Sequence, residues 1–393
     1  MRVGIVGGGV AGLTAGIYAA SRGADVTVIE KNTSGAGAMC GWERDGYMID
    51  GCLHWLTGTK EGTELYGIWK KCGVLGGVVK TDSFFQSTSD SSTVTFWQDE
   101  ARCFEEMASL SPEDGREVAK LRRAVAAAST VSGTAARPMK KCEAYLALAP
   151  YALISAGELA ERFKCRAIRR AICDMTGKCF SSLGLIFAYS AFSSGNGYLP
   201  EGGSAGAAKR MVGKFISEGG TYLSGTEANR ALRRGGAWRV STADGGTMEF
   251  DSLIVAAEPA RAVTELFGVE HFPKSFAKKY SMKEKYPLFS SVHFAFAAKS
   301  ADVPFKGTSF FDVRRAPYSS VNRGRMMLRE FSHEPSFAPE GMSVLQSLSF
   351  VGEKECHEWI DLSKKDDAYE KAKAAAAEAA TERIRSIIRR SPK

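Results

Sequence analysis

Residues 2–6 form a short apolar run, 10–22 carry small and apolar residues at helical spacing, and 25–30 (D-V-T-V-I-E) are mostly apolar again. The pattern predicts a β-α-β unit at the start of the chain. From about 58 to 195 it turns mainly helical, with apolar residues three and four apart across 113–128 and 156–172, so an inserted domain of different character is expected. The α/β pattern then returns. A helix is predicted over 204–218, a hairpin of 238–241 and 247–250 across Asp244-Gly245-Gly246, and a buried strand over 253–257. Strand-like runs at 290–297 and 343–350 predict a second sheet before a helix over 366–389, and no internal repeat is visible.

Composition changes little in this picture. The chain has 393 residues, 44% hydrophobic and 24% charged, which excludes disorder and collagen and suggests two or three domains at about 150 residues each. The net charge of +8 is spread along the chain, a mild bias toward anionic surfaces. Nine cysteines occur with no C-x-x-C pair, so neither a disulfide framework nor a zinc ribbon is readable, and reduced thiols in a cytoplasmic protein are expected. The five histidines show no H-x-x-x-H spacing, so no metal site is expected; no nucleic-acid motif is present either. The longest apolar stretch, 144–157, is interrupted by Pro150, and the start of the chain enters a strand at once, so neither a spanning helix nor an export signal is expected.

The chemistry is concentrated in Gly7-Gly8-Gly9-Val10-Ala11-Gly12, a G-x-G-x-x-G between a predicted strand and a predicted helix, with Glu30 closing the next strand. Gly7 permits the turn, Gly9 admits a pyrophosphate close to the backbone, Gly12 lets helix and strand pack, and the helix N-terminus with Val10 and Ala11 favours the anion. Glu30 would accept from ribose hydroxyls and repel a 2′-phosphate. The alternative is a glycine turn that serves packing alone. FAD and NAD both remain open on this motif.

Residues 30–59 read E-K-N-T-S-G-A-G-A-M-C-G-W-E-R-D-G-Y-M-I-D-G-C-L-H-W-L-T-G-T. Gly46, Tyr47, Asp50, Gly51, His54, Trp55 and Leu56 form a G-Y-x-x-D-G-x-x-H-W-L stretch after the acidic residue. With 198–203 (Y-L-P-E-G-G), 251–259 and 333–341, this resembles the phytoene desaturase and carotenoid isomerase-like FAD-dependent oxidoreductases, relatives of the flavin amine oxidases. The resemblance implies FAD as cofactor, held by Gly7, Gly9, Val10, Ala11, Gly12, Glu30, Lys31, Gly37 and Ala228, with an apolar polyene-like substrate. Three departures stand out. Ala36 replaces the first glycine of the family's Gly-Gly pair, which would loosen contact with the cofactor. Ala228 replaces a valine whose backbone meets the adenine. A second glycine-rich FAD segment, expected after the last helix, is missing before Ser391-Pro392-Lys393, which suggests a truncated form with weak FAD binding, its Ile384, Ile387 and Ile388 partly exposed.

Gly202-Gly203-Ser204-Ala205-Gly206 matches the G-x-S-x-G of a hydrolase elbow, but the Pro200-containing lead-in lacks a buried strand, and Ser204 reads better as a helix cap. His54 would line the flavin or substrate pocket or simply pack; no catalytic residue is assigned. Arg166, Arg169 and Arg170, the lysines of 274–285 and the tail 383–393 read as solvated faces, with anionic lipid as the alternative contact. Tyr145, Leu146, Leu148, Tyr151, Leu153 and Ile154 would form an apolar entrance or a buried helix. The expected architecture is α/β, with a discontinuous Rossmann-like FAD/NAD(P)-binding domain (1–70 and 195–265) and a second, α+β substrate domain (71–194 and 266–393). The expected activity is that of an FAD-dependent oxidoreductase, with a flavin amine oxidase and an inactive FAD-binding chain as rivals.

Overall fold

A computed structural model describes residues 1–33, 35–132, 138–282, 289–314 and 324–390. The opening β-α-β unit is Arg2–Val6, the helix Val10–Ala20 and Asp25–Ile29. These strands belong to a four-stranded parallel sheet ordered Ser252–Val255, Arg2–Val6, Asp25–Ile29, Thr221–Leu223. Alternate residues decide what covers each face. Val3, Ile5, Val26 and Val28 pack against Leu13 and Ile17 of the first helix and Met211 and Phe215 of the helix Gly203–Ser217. Val6 and Ile29, on the other face, pack against Ala231, Val240 and Phe250 of the three-stranded antiparallel sheet 228–250.

The second sheet has six strands, ordered Phe289–Lys299, Met342–Gly352, Arg325–Glu330, Thr308–Asp312, Ser83–Ser89, Ser92–Trp97. All its pairings are antiparallel except that of Thr308–Asp312 with Ser83–Ser89. The last helix, Asp366–Arg390, lies on one face. Its Ile384 and Ile387 are 5% and 6% exposed, packed on Phe305, Phe311, Leu328 and Leu345, so the expectation of partly exposed isoleucines fails for these two, whose partner is the sheet itself, and holds for Ile388.

Two other expectations need correction. The region 58–195 is not simply helical, because 83–97 is the hairpin at the edge of this sheet. Its inward positions after Phe85 are Ser87 and Ser89, buried by donating to Asp174 (2.7 Å) and Asp312 (2.6 Å), so a hydrophobic pattern does not register them. The single helix expected over 156–172 is two, Ala156–Ala160 and Arg166–Thr176. The break occurs where the Asp114 carboxylate accepts from the backbone N–H of Lys164 (2.8 Å) and Cys165 (2.9 Å), and Phe163 continues the apolar spacing through the break.

Candidate functional site

The glycine turn separates three roles. Gly7 has φ +103°, and a Cβ there would lie 2.6 Å from the Ala256 carbonyl oxygen, so turn and packing both demand glycine. A Cβ on Gly12 would fall 2.0 Å from the Gly7 carbonyl oxygen, so close helix–strand packing explains that glycine too. Gly9 differs. Its φ of −72° suits any residue, and a Cβ would find nothing nearer than Gly37 Cα at 4.0 Å. Among the described residues no protein contact requires glycine there, whereas a pyrophosphate approaching the backbone does. Gly9 is also the N-cap of the first helix and no side chain caps it, which leaves the first-turn amides of Val10 and Ala11 suited to an anion.

Glu30 is 5% exposed and accepts from Gly8 N (2.7 Å) and Asn32 N (2.8 Å), which fixes its carboxylate beside the turn with lone pairs to spare. Gly37 has φ +61° and lies against Gly9. Ala36 also has positive φ, +65°, and is 1% exposed, in the core cluster with Leu13 and Ala208. Thr226 N donates to the Glu30 carbonyl (2.9 Å), which brings 226–228 alongside; Ala228, half-buried, starts the next strand, and Lys31 is exposed at the border. The residues present therefore fit the ADP part of a dinucleotide.

A second site lies between this domain and the six-stranded sheet. Asp50, 8% exposed, accepts from Ser204 N (2.7 Å), Ser204 Oγ (2.6 Å), Cys52 N (3.0 Å) and Leu53 N (3.1 Å). Gly203 has φ +56° and a Cβ there would lie 2.2 Å from Asp50 Oδ2, so Gly203-Ser204 is a docking point for this carboxylate rather than a hydrolase elbow. Ser204 is not the helix cap either: Gly202 holds that position, and the Ser204 hydroxyl accepts from Leu53 N at 2.8 Å. Ser204→Ala is therefore expected to cost more than the loss of a helix cap alone. It removes a buried link between two elements, and urea denaturation should show a loss of about 1–3 kcal/mol.

The same clamp presents His54 and Trp55. Trp55 meets Phe84 edge-on at 5.2 Å and, with Phe85, Phe310, Met327 and Leu348, lines a cavity of about 210 Å³. Asp174 and Arg325 also line it. Two smaller spaces adjoin, one of about 20 Å³ beside His293 and Gln346 and one of about 30 Å³ beside Tyr198 and His333; Arg329 borders both, and His54 borders all three. His54 is exposed, its ring open to these spaces, while the protein crowded around it, then the Arg329 charge, lowers its pKa to about 4, so it is neutral at neutral pH.

Arg329 is 5% exposed; its Nη1 donates to the Leu53 carbonyl (2.6 Å) and Nη2 to the His54 carbonyl (3.4 Å), and its guanidinium lies 4.7 Å from the Phe331 ring centroid. Burial lowers its pKa to about 10, with Asp50 opposing, so it stays charged. Sequence reasoning missed Arg325, Arg329 and Asp174. Arg325, Met327 and Arg329 share one strand face, and from sequence such spacing reads as a solvated face.

Elsewhere, Arg166 reaches Asp90 (3.2 Å) and Asp312 (3.9 Å). Lys283, Lys285 and Lys393 lie outside the described residues. Leu148 and Tyr151 are buried, whereas Tyr145, Leu146 and Leu153 are exposed. No described helix is long and apolar enough to cross a membrane.

Residues 5–72 match the family model for an NAD(P)-binding Rossmann-like domain. This is a Rossmann-like dinucleotide-binding fold. No curated protein matches the sequence. Among solved structures the chain is similar to an oxidoreductase from Methanosarcina mazei, with 16% identity over 95% of this chain and 84% of that one and a TM-score of 0.61. A candidate protoporphyrinogen oxidase from Exiguobacterium sp. 255-15 gives 17% identity, 96% and 82% coverage and a TM-score of 0.59. Putrescine oxidase bound to putrescine gives 15% identity, 94% and 79% coverage and a TM-score of 0.52. At these identities the likeness carries the fold: a Rossmann-like domain in a mixed α/β chain shaped like these oxidases.

Proposed function

We propose that this protein is an FAD-dependent oxidoreductase acting on a compact, largely apolar substrate beside His54. The observation that carries the cofactor is Gly9, a glycine that the protein's own packing does not require, at an uncapped helix terminus beside Glu30. Gly7, Gly9, Val10, Ala11 and Gly37 would receive the pyrophosphate, Glu30 the ribose, and Lys31 and Ala228 would border the adenosine. Bound FAD supplies a two-electron acceptor; the protein supplies position, exclusion of water and electrostatics. The similar folds of an oxidoreductase and two oxidases support this reading.

The cavity bears on the substrate. At about 210 Å³ it is smaller than the roughly 300–1,000 Å³ of pockets that enclose drug-sized ligands, so it suits a compact molecule or one segment of a longer polyene. An amine is supported less well. The cavity's carboxylate, Asp174, is already paired with Arg325 (2.5 Å), which leaves no free negative charge for an ammonium. Exposed Met139, Tyr145, Leu146 and Leu153 beside Lys140 and Lys141 support contact with an anionic membrane as a source of apolar substrate.

Anaerobic mixing of the flavin-loaded protein with aryl-alkyl compounds, a polyene and putrescine tests the reading. Bleaching of the flavin by a compact apolar compound is expected; reduction by putrescine alone would replace it with an amine oxidase.

A further inference from the structure

We propose that the substrate carries a carboxylate and that Arg329 receives it, with the apolar remainder in the aromatic cavity across His54. This rests on the reading of that cavity as the substrate site. The two carboxylates around the three spaces each have hydrogen-bond partners of their own, and the charge of Asp50 acts on Arg329 only from beyond salt-bridge distance. Asp174 is held by Arg325, and the Asp50 carboxylate has four donors from Ser204, Cys52 and Leu53. Arg329 has no carboxylate within salt-bridge distance among the described residues, and two of its five N–H groups have partners, both carbonyls.

A buried guanidinium in this condition is costly unless an anion completes it. A second polar atom faces the same space. His333 Nε2, buried and without a hydrogen-bond partner among the described residues, borders the same space of about 30 Å³ as Arg329. That space is small, about 30 Å³, and suits the flat tip of a carboxylate. His54, Phe84 and Thr308 border both the aromatic cavity and this space beside Arg329 and His333, so a short acid would reach from one to the other.

Isothermal titration of the purified protein with 3-phenylpropionate, 3-phenylpropanol and 3-phenylpropylamine tests the proposal, with flavin content measured in the same samples. The acid should bind at least about tenfold more tightly than the alcohol, as expected for a charge-assisted hydrogen bond, and the amine more weakly than either. Arg329→Gln should bring acid and alcohol to within about twofold while the alcohol's affinity holds, and Arg329→Lys should restore part of the preference. If Arg329→Gln fails to fold, the wild-type ranking decides. No binding of the acid, an amine bound as tightly as the acid, or an unchanged preference in Arg329→Gln overturns the proposal. So does loss of flavin from that variant without change in acid preference, which would assign Arg329 to the cofactor. An acid preference in protein without flavin would instead contradict the cofactor reading and leave the anion site standing.

Discussion

Gly9→Val is expected to fold as the wild type does and to carry no FAD. The backbone at Gly9, φ −72° and ψ 179°, is extended and accommodates valine, and the nearest atom to its Cβ would be 4.0 Å away. Replacing a helix N-cap glycine by valine costs somewhat less than the roughly 1 kcal/mol typical of losing a Ser, Thr, Asn or Asp cap. The stiffer unfolded chain returns about 0.4–1 kcal/mol, so the net change in stability is small. The branched side chain would nevertheless fill the approach of a pyrophosphate to the turn. Gly12→Ala is the contrast: its methyl would meet the Gly7 carbonyl oxygen at 2.0 Å, and the fold itself should suffer. Flavin absorbance and thermal melting of the two variants separate a ligand role from a packing role. Full flavin content in Gly9→Val would remove the main support for the cofactor site.

Asp174→Ala should destabilise the protein more than Ser204→Ala does, because it strands a charge rather than a neutral hydrogen-bonding group. Arg325 is 4% exposed and spends its donors on Asp174 Oδ1 (2.9 Å) and Oδ2 (2.5 Å), Ser87 Oγ (2.9 Å), the Thr88 carbonyl (2.7 Å) and Asp312 Oδ1 (3.0 Å). Removing the bidentate partner leaves a buried cation facing only the partly exposed Asp312, and breaking such a pair costs about 3–5 kcal/mol. The double substitution Asp174→Leu with Arg325→Met should recover most of this, because replacing both charges removes the desolvation penalty as well as the attraction. Urea midpoints at unchanged slope measure both. A loss below about 1 kcal/mol in Asp174→Ala would mean that Asp312 alone neutralises Arg325.

The parts of this protein that were legible in its sequence are those built from local rules. The first β-α-β unit announces itself because buried parallel strands are continuous apolar runs and the turn between strand and helix needs Gly7 and Gly12 in fixed places. The hairpin 238–250 and the last helix follow from turn residues and alanine content in the same way. What escaped depends on partners distant in sequence. The edge hairpin 83–97 buries serines that are satisfied by Asp174 and Asp312, so polar residues hold core positions there. Ser204 looks like a helix cap until Asp50 takes its hydroxyl from another element. The cavity is assembled by the loop carrying His54 and by strands near the opposite end of the chain, and nothing local in R-M-M-L-R-E announces that its two arginines are buried.

The central claim is that the glycine turn holds FAD, and it is tested most directly by the absorption spectrum of the purified protein followed by mass identification of whatever is released on denaturation. A flavin spectrum is expected from the wild type, with FAD as the released species, and neither from Gly9→Val at equal fold. A wild-type protein reconstituted with FAD that retains none, or one that releases a nicotinamide dinucleotide instead, would contradict it.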